Sequence, residues 1–126
     1  MKLHLQSAAT NIVTGSGPGW VRVGTIEHRH NVILLPELVI EAWAPGGFAA
    51  LTASDFEGLL QYRPEIVLLG TGERQAFARP ELYAALTAAR VGVESMDTRA
   101  ACRTFNILIA EERRVAAALV VSRNAP

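Results

Sequence analysis

Two short segments carry the groups best suited to chemistry. Gly70-Thr71-Gly72 ends the apolar run 66–69 and offers bare backbone N–H groups with tolerance of positive φ. Asp97-Thr98 opens a helix-like run in which Arg103 adds a cation. Backbone N–H groups and an arginine together hold an anion or a carbonyl oxygen, and Asp97 or Thr98 would fix its orientation. Gly70, Thr71, Gly72, Asp97, Thr98 and Arg103 are therefore the candidate ligand-binding set. The glycine segment is not a dinucleotide fingerprint, which needs a third glycine and an immediate helix, and no Walker lysine follows it. A plain turn is the competing reading.

Other reactive side chains are isolated. Cys102 stands one turn into that same run, beside Arg99 and Arg103, where a helix dipole and positive charge would lower a thiol pKa. It has no neighbouring base in sequence, so a small, half-buried packing residue is the favoured reading. His28 and His30 alternate on a strand and share a face, but no third metal ligand accompanies them, and they read as surface histidines. His4 is the third histidine. No pair of carboxylates stands out for acid–base work, and no catalytic residues are assigned. Enzymatic activity is left open and not favoured.

The elements that must position these groups are legible in the flanking pattern. Residues 66–69 form an apolar run without alternation, as in a strand covered on both faces. Pro80 suits the first position of a helix on which Leu82, Leu86 and Ala89 share a side, with Gly92 as its terminator. Residues 93–96 form a short strand, Asp97 or Thr98 caps a third helix running to about Ala110, and 115–121 form the last strand. On the third helix, Ala101, Phe105, Leu108 and Ile109 make an apolar stripe, and Arg99, Arg103 and Asn106 make a polar one.

Upstream, residues 20–24 and 28–34 read as a β-hairpin joined at 25–27, and GSGPG before Trp20 reads as turn punctuation. Residues 37–47 hold a shorter extended run. Thr52 or Ser54 caps a first helix with Asp55 or Glu57 at capping-box spacing, and Phe56, Leu59 and Leu60 on one side. The pattern thus gives an α/β fold class in a single domain over 1–126, ordered core about 12–121, with an N-terminal hairpin and a β-α-β-α-β second half. If strands 66–69 and 93–96 are parallel neighbours, their carboxyl ends bring Gly70-Thr71-Gly72 to Asp97-Thr98, at the edge where open α/β sheets bind ligands.

Half of the 126 residues are apolar and 19% are charged, so a compact core is expected. Lys plus Arg equals Asp plus Glu at 12 each, which excludes a global nucleic-acid footprint. Arg99, Arg103, Arg113 and Arg114 cluster in sequence and form either a local basic patch or ordinary solvated charges. No apolar run approaches the ~20 residues of a membrane span, and one cysteine rules out an intramolecular disulfide. In the N-terminal segment His4, Gln6 and Asn11 interrupt any signal-peptide core, residues 122–126 read as a polar tail, and the cytoplasm is the expected location.

The segments LLGTG, MDT, ACRTFN and RV with AA, together with GFAALTASDFEGLL, resemble the MTH-type α/β domain family. The likeness runs from about Trp20 to Val121. That family includes a mitochondrial complex I assembly factor and an adipogenesis-associated protein. The resemblance implies a three-layer α/β domain with a mixed central sheet and a crevice near Gly70 to Gly72. It implies no activity, cofactor or catalytic residue.

Two functions follow as expectations. The first is a non-catalytic binding or assembly-factor-like protein, with a protein partner related by analogy to a respiratory complex. Trp20, Trp43 and Phe48 are its candidate exposed anchors, each with burial in the core as the competing reading. The second is a small-molecule site, in a binding protein or an enzyme, for an anionic ligand at the glycine loop and the third helix. Neither calls for a cofactor, a metal, nucleic acid or membrane insertion.

Overall fold

A computed structural model describes residues 10–121. The N-terminal segment with His4, and the expected 122–126 tail, lie outside the described residues.

Three strands come first: β1 (Val13–Gly17), β2 (Trp20–Val23) and β3 (Ile26–His28), an antiparallel meander in the order β1-β2-β3. The hairpin expected from 20–34 is displaced. β2 turns at Gly24-Thr25 straight into β3, and it also pairs with β1. Gly15 and Gly17, expected in a turn, lie in β1, and only Pro18-Gly19 make the turn. Residues 32–34, expected in the hairpin, form β4 (Val32–Leu34) in a different sheet.

That second sheet is mixed, with the order β5-β4-β8-β6-β7. β5 (Val39–Glu41) and β8 (Val115–Leu119) each run antiparallel to β4. β6 (Ile66–Gly70) lies parallel to both β7 (Gly92–Met96) and β8. The expected parallel pair is therefore present, in the register Ile66↔Gly92 to Gly70↔Met96. Alternation sorts the inner strands into two cores. Ile33, Val67, Leu69, Ala116 and Ala118 face one side, and Val32, Leu34, Leu68, Ala117 and Leu119 the other.

The first face is covered by α1 (Ala53–Glu57), α2 (Ala84–Ala88) and the 3-10 turns that adjoin them. Thr52 and Asp55 close the expected capping box on α1. The expected helix shortens at Gly58, where a 3-10 turn, Gly58–Tyr62, carries Leu59 into the core. Trp43 is buried beside Phe56 at a ring-centroid distance of 6.3 Å, held between Ala42 and Ala44 at positive φ.

The second face is covered by α3 (Thr98–Ala110) and the three-stranded sheet. Ala101, Phe105 and Ile109 are buried there as the stripe predicts, with Leu108 at its margin. α3 ends at Ala110 as expected, whereas the end of α2 differs from expectation. Arg90, not Gly92, closes α2 in the left-handed region, with Val91 donating to Leu86 O and Arg90 to Thr87 O. Glu112 closes α3 in the same way, with Arg113 donating to Leu108 O. A non-glycine at this position leaves no sequence signal.

Candidate functional site

The carboxyl ends of β6 and β7 do bring Gly70-Thr71-Gly72 onto the start of α3. Thr71 N donates to Met96 O at 2.9 Å, and Thr98 N donates to Gly72 O at 2.9 Å. The Thr98 hydroxyl accepts from Gly72 N at 2.8 Å and donates to Val120 O at 2.7 Å. Val120 N donates to Gly70 O at 2.8 Å. One buried hydroxyl thus ties together a loop, a helix start and the chain beyond β8. Asp97 is the N-cap of α3, its carboxylate accepting from Ala100 N at 2.8 Å. Gly70 is required by close approach: a Cβ there would lie 2.8 Å from Leu119 Cδ2 and 3.2 Å from Thr98 Cα.

A second wall comes from the β1–β2 hairpin. A Cβ on Gly17 would fall 2.5 Å from Trp20 Nε1, so the indole lies directly on the glycine backbone of β1. The Arg22 guanidinium stands 5.7 Å from the Trp20 ring centroid. Between this hairpin and the start of α3 is a cleft of about 370 Å³. Ser16, Gly17 and Trp20 line one side, and Gly72, Asp97 and Arg99 line the other.

Five of the six predicted residues are therefore gathered in one place. Gly72, Asp97 and Thr98 line the cleft, Gly70 and Thr71 adjoin them outside the lining through bonds to Val120 and Met96, and Arg103 is exposed and also outside the lining. The N–H groups of Thr71 and Gly72, expected to face a ligand, are occupied within the chain. The positive end of α3 likewise already meets the Asp97 carboxylate and Gly72 O.

Several isolated groups have other roles. Cys102 is 3% exposed, and burial pushes its thiol up to about 12, against the lesser opposing effect of Arg103. It is a packing residue at neutral pH. His28 is 8% exposed rather than a surface residue, while His30 is exposed, so β3 and the bend after it do not present them alike. Among the described residues no cluster of three or more His, Cys, Asp or Glu could hold a metal. The four clustered arginines separate. Arg113 and Arg114 lie at the far end of α3 and engage Glu65, whose carboxyl is held below its ordinary value first by the Arg113 hydrogen bond.

Sequence reasoning missed the hairpin wall. A signal was present: Gly15 and Gly17 share one face of a strand, and an aromatic lies across from Gly17, a pairing in which the ring covers bare backbone. The polar stripe of α3 divides at Asn106. It does not point to solvent but clamps β1, accepting from Val13 N and donating to Val13 O, each at 2.9 Å.

Fold and cleft define a three-layer α/β protein with a mixed five-stranded sheet and an accessory β-hairpin layer. The chain belongs to the family described as "Protein of unknown function (DUF498/DUF598)", whose model matches residues 13–120. A crystal structure from Bordetella parapertussis is 42% identical, with a TM-score of 0.84, over 90% of this chain and 98% of that one. A solution structure from Bordetella pertussis, described as an Mth938-like domain, is 36% identical with a TM-score of 0.78, over 99% and 95%. The expected family likeness is thereby established.

Among curated relatives, NADH dehydrogenase [ubiquinone] 1 alpha subcomplex assembly factor 3 of Bos taurus is 38% identical over 89 residues, 69% of this chain and 48% of that protein. The chain thus spans about half the length of the assembly factors it matches. A "13 kDa major membrane protein" of Francisella tularensis is 30% identical over 75% of this chain and 77% of that protein. In the described part of this chain no helix is long and apolar enough to cross a membrane.

Proposed function

We propose that this chain is a non-catalytic binding module that acts in the assembly of a larger protein complex, with the hairpin–α3 cleft as its docking site. The single observation that carries this reading is the internal use of the polar groups beneath the cleft. Thr98, Asp97 and the N–H groups of Thr71 and Gly72 bond to the chain itself, which leaves Trp20, the hairpin backbone and Arg99 to meet a partner. The identity to assembly factor 3 supports a subunit or co-factor of a respiratory NADH dehydrogenase as the partner class. The cytoplasm is the proposed location.

The test is site-specific photo-crosslinking in the native host, with a crosslinker at Gly19 beside the cleft or at Glu57 on the opposite layer. A discrete protein adduct of a respiratory-complex subunit or factor at Gly19 and not at Glu57 is the expected result. Equal adducts at both positions, or none at Gly19, would remove this reading. Fractionation of the same cells places the adduct in soluble or membrane fractions and so tests the location.

A second reading is a small anionic ligand in the same cleft, favoured by its position at the carboxyl ends of parallel strands. A thermal-shift screen of anionic metabolites tests it. A real ligand stabilises by ~2.7 kcal/mol at a hundredfold excess over Kd. The same shift in Gly72→Val and Arg99→Ala variants would count against a ligand in this cleft, whereas Arg103→Ala, outside the lining, should leave the shift unchanged.

A further inference from the structure

We propose that a second cavity, where the edge strands β3 and β5 adjoin, binds a guanidinium group. The cavity has a volume of about 330 Å³ and opens between β3, the bend after it, and the ends of β4 and β5. It shares no lining residue with the hairpin–α3 cleft, and the inference stands apart from the assembly reading.

The observation that points to a ligand is His28. On β3 it pairs with Val21, which is fully buried, and His28 itself is only 8% exposed. Its side chain makes no hydrogen bond or ion pair among the described residues. Buried polar side chains ordinarily have partners, because leaving one unmade costs about 1–3 kcal/mol. Among the described residues no side-chain nitrogen is both sealed from solvent and without a partner. The ring nitrogens of His28 therefore belong to the accessible part of the residue, which lines the cavity. A buried imidazole is thus held with its nitrogens open to that space and nothing from the chain to bond them.

The other polar groups decide the charge of the occupant. Glu27 and Arg29 both line the cavity and form an ion pair with each other, so that cation is already engaged. Glu41 and His30 are exposed, and their side chains make no hydrogen bond or ion pair among the described residues. What remains uncommitted is one carboxylate, which only accepts, and two imidazoles, each with an acceptor nitrogen when neutral. An anion would be repelled by Glu41 and would find no free cation in the lining. The site selects a cation.

Shape decides which cation. Among the described residues no three His, Cys, Asp or Glu side chains converge to hold a metal ion. The acceptors surround a cavity instead of a point, so a compact charge such as an ammonium does not reach them together. A guanidinium carries five N–H donors in a plane, meets a carboxylate through two parallel bonds and keeps another edge for an imidazole. Glu41 takes one edge of that plane and His28 another, while Ile26 and Val32 provide apolar wall for the stem. An arginine side chain and a free alkylguanidinium share this chemistry.

The probes are ethylguanidinium, ethylammonium, and the capped peptides acetyl-Gly-Arg-Gly-amide and acetyl-Gly-Lys-Gly-amide. Each is titrated at pH 8 with EDTA into the full chain carrying ¹⁵N-labelled histidine. The readouts are the imidazole nitrogen shifts of His28 and the Kd. Ethylguanidinium is expected to move the His28 signals saturably and to bind at least about tenfold tighter than ethylammonium. Glu41→Gln, at an exposed position, should keep the fold and lose about tenfold. Glu57→Gln, on the opposite layer, should change nothing. An arginine peptide that binds tighter than ethylguanidinium supports the site and assigns it to a protein side chain. One that binds more weakly, with ethylguanidinium still bound, supports the site and assigns it to a free small molecule. No saturable shift of His28, equal binding of the ammonium probes, or a Glu41→Gln variant that binds like the parent overturns the proposal.

Discussion

The carboxamide of Asn106 stands in for a neighbouring strand on Val13, matching one N–H and one C=O of the backbone at 2.9 Å each. This pair fastens the three-stranded sheet to α3, two helical turns along from Arg99 at the cleft.

Asn106→Ala removes both bonds and leaves a buried backbone pair without partners. The expected loss is ~2 kcal/mol at about 1 kcal/mol per bond, read by urea unfolding. Asn106→Asp should be no better, because one carboxylate oxygen would face Val13 O. A variant with unchanged stability and an unchanged exchange rate at the Val13 amide would show that the clamp does not hold the sheet.

Thr98→Val keeps the shape of the side chain and deletes the hydroxyl shared by Gly72 N and Val120 O. Two polar groups lose their partner, and about 1–3 kcal/mol of stability should go with them. Thr98→Ser retains the hydroxyl and should lose only about 1 kcal/mol for the missing methyl. Faster exchange of the Gly72 amide in the valine variant alone would confirm the assignment.

Gly70→Ala should destabilise by roughly 1–3 kcal/mol, since its Cβ meets the backbone of Thr98 as well as a leucine methyl. The nearby Gly72, although at φ 108°, has only Val120 Cγ1 at 3.9 Å from an added Cβ. Gly72→Ala therefore loses through backbone strain and not through crowding. Crystal structures of the two variants would show α3 displaced in the first case only.

Cys102 should resist iodoacetamide at pH 8 in the folded protein and react on unfolding. Its folded pKa of about 12 exceeds the ordinary 9.0, so the folded state keeps a proton that the unfolded chain releases. The stabilising contribution is complete below pH 9 and is lost as pH rises towards 12, because the unfolded state then binds fewer protons. Compared with Cys102→Ala, the parent chain should lose additional stability across that window, up to ~4 kcal/mol at its top. Parallel stability–pH curves for the two chains would contradict this account.

Legibility followed the range of the forces involved. The capping box at Thr52 and Asp55, the Asp97 cap, the apolar stripe of α3 and the two-sided burial of β6 are local or periodic, and the residues display them directly. The parallel pairing of β6 and β7 followed from the short β-α-β connection. The hairpin assignment went astray because β2 and β4 are similar β-branched runs. Only pairing decides that one joins β1 and the other joins β8. The terminus of α2 was missed because Arg90 adopts a backbone conformation usually reserved for glycine.

The sequence by itself determined the α/β class and the meeting of Gly70-Thr71-Gly72 with Asp97-Thr98, because apolar periodicity shows the elements and a β-α-β crossover lays consecutive strands side by side with their carboxyl ends together. Tertiary structure alone decided what that meeting does. Thr98 reaches 22 residues along the chain to Val120, and Asn106 reaches 93 residues back to Val13. No local pattern announces either contact; both are set by how the layers stack, and they turn an expected ligand loop into the closed floor of a cleft whose open wall is the hairpin.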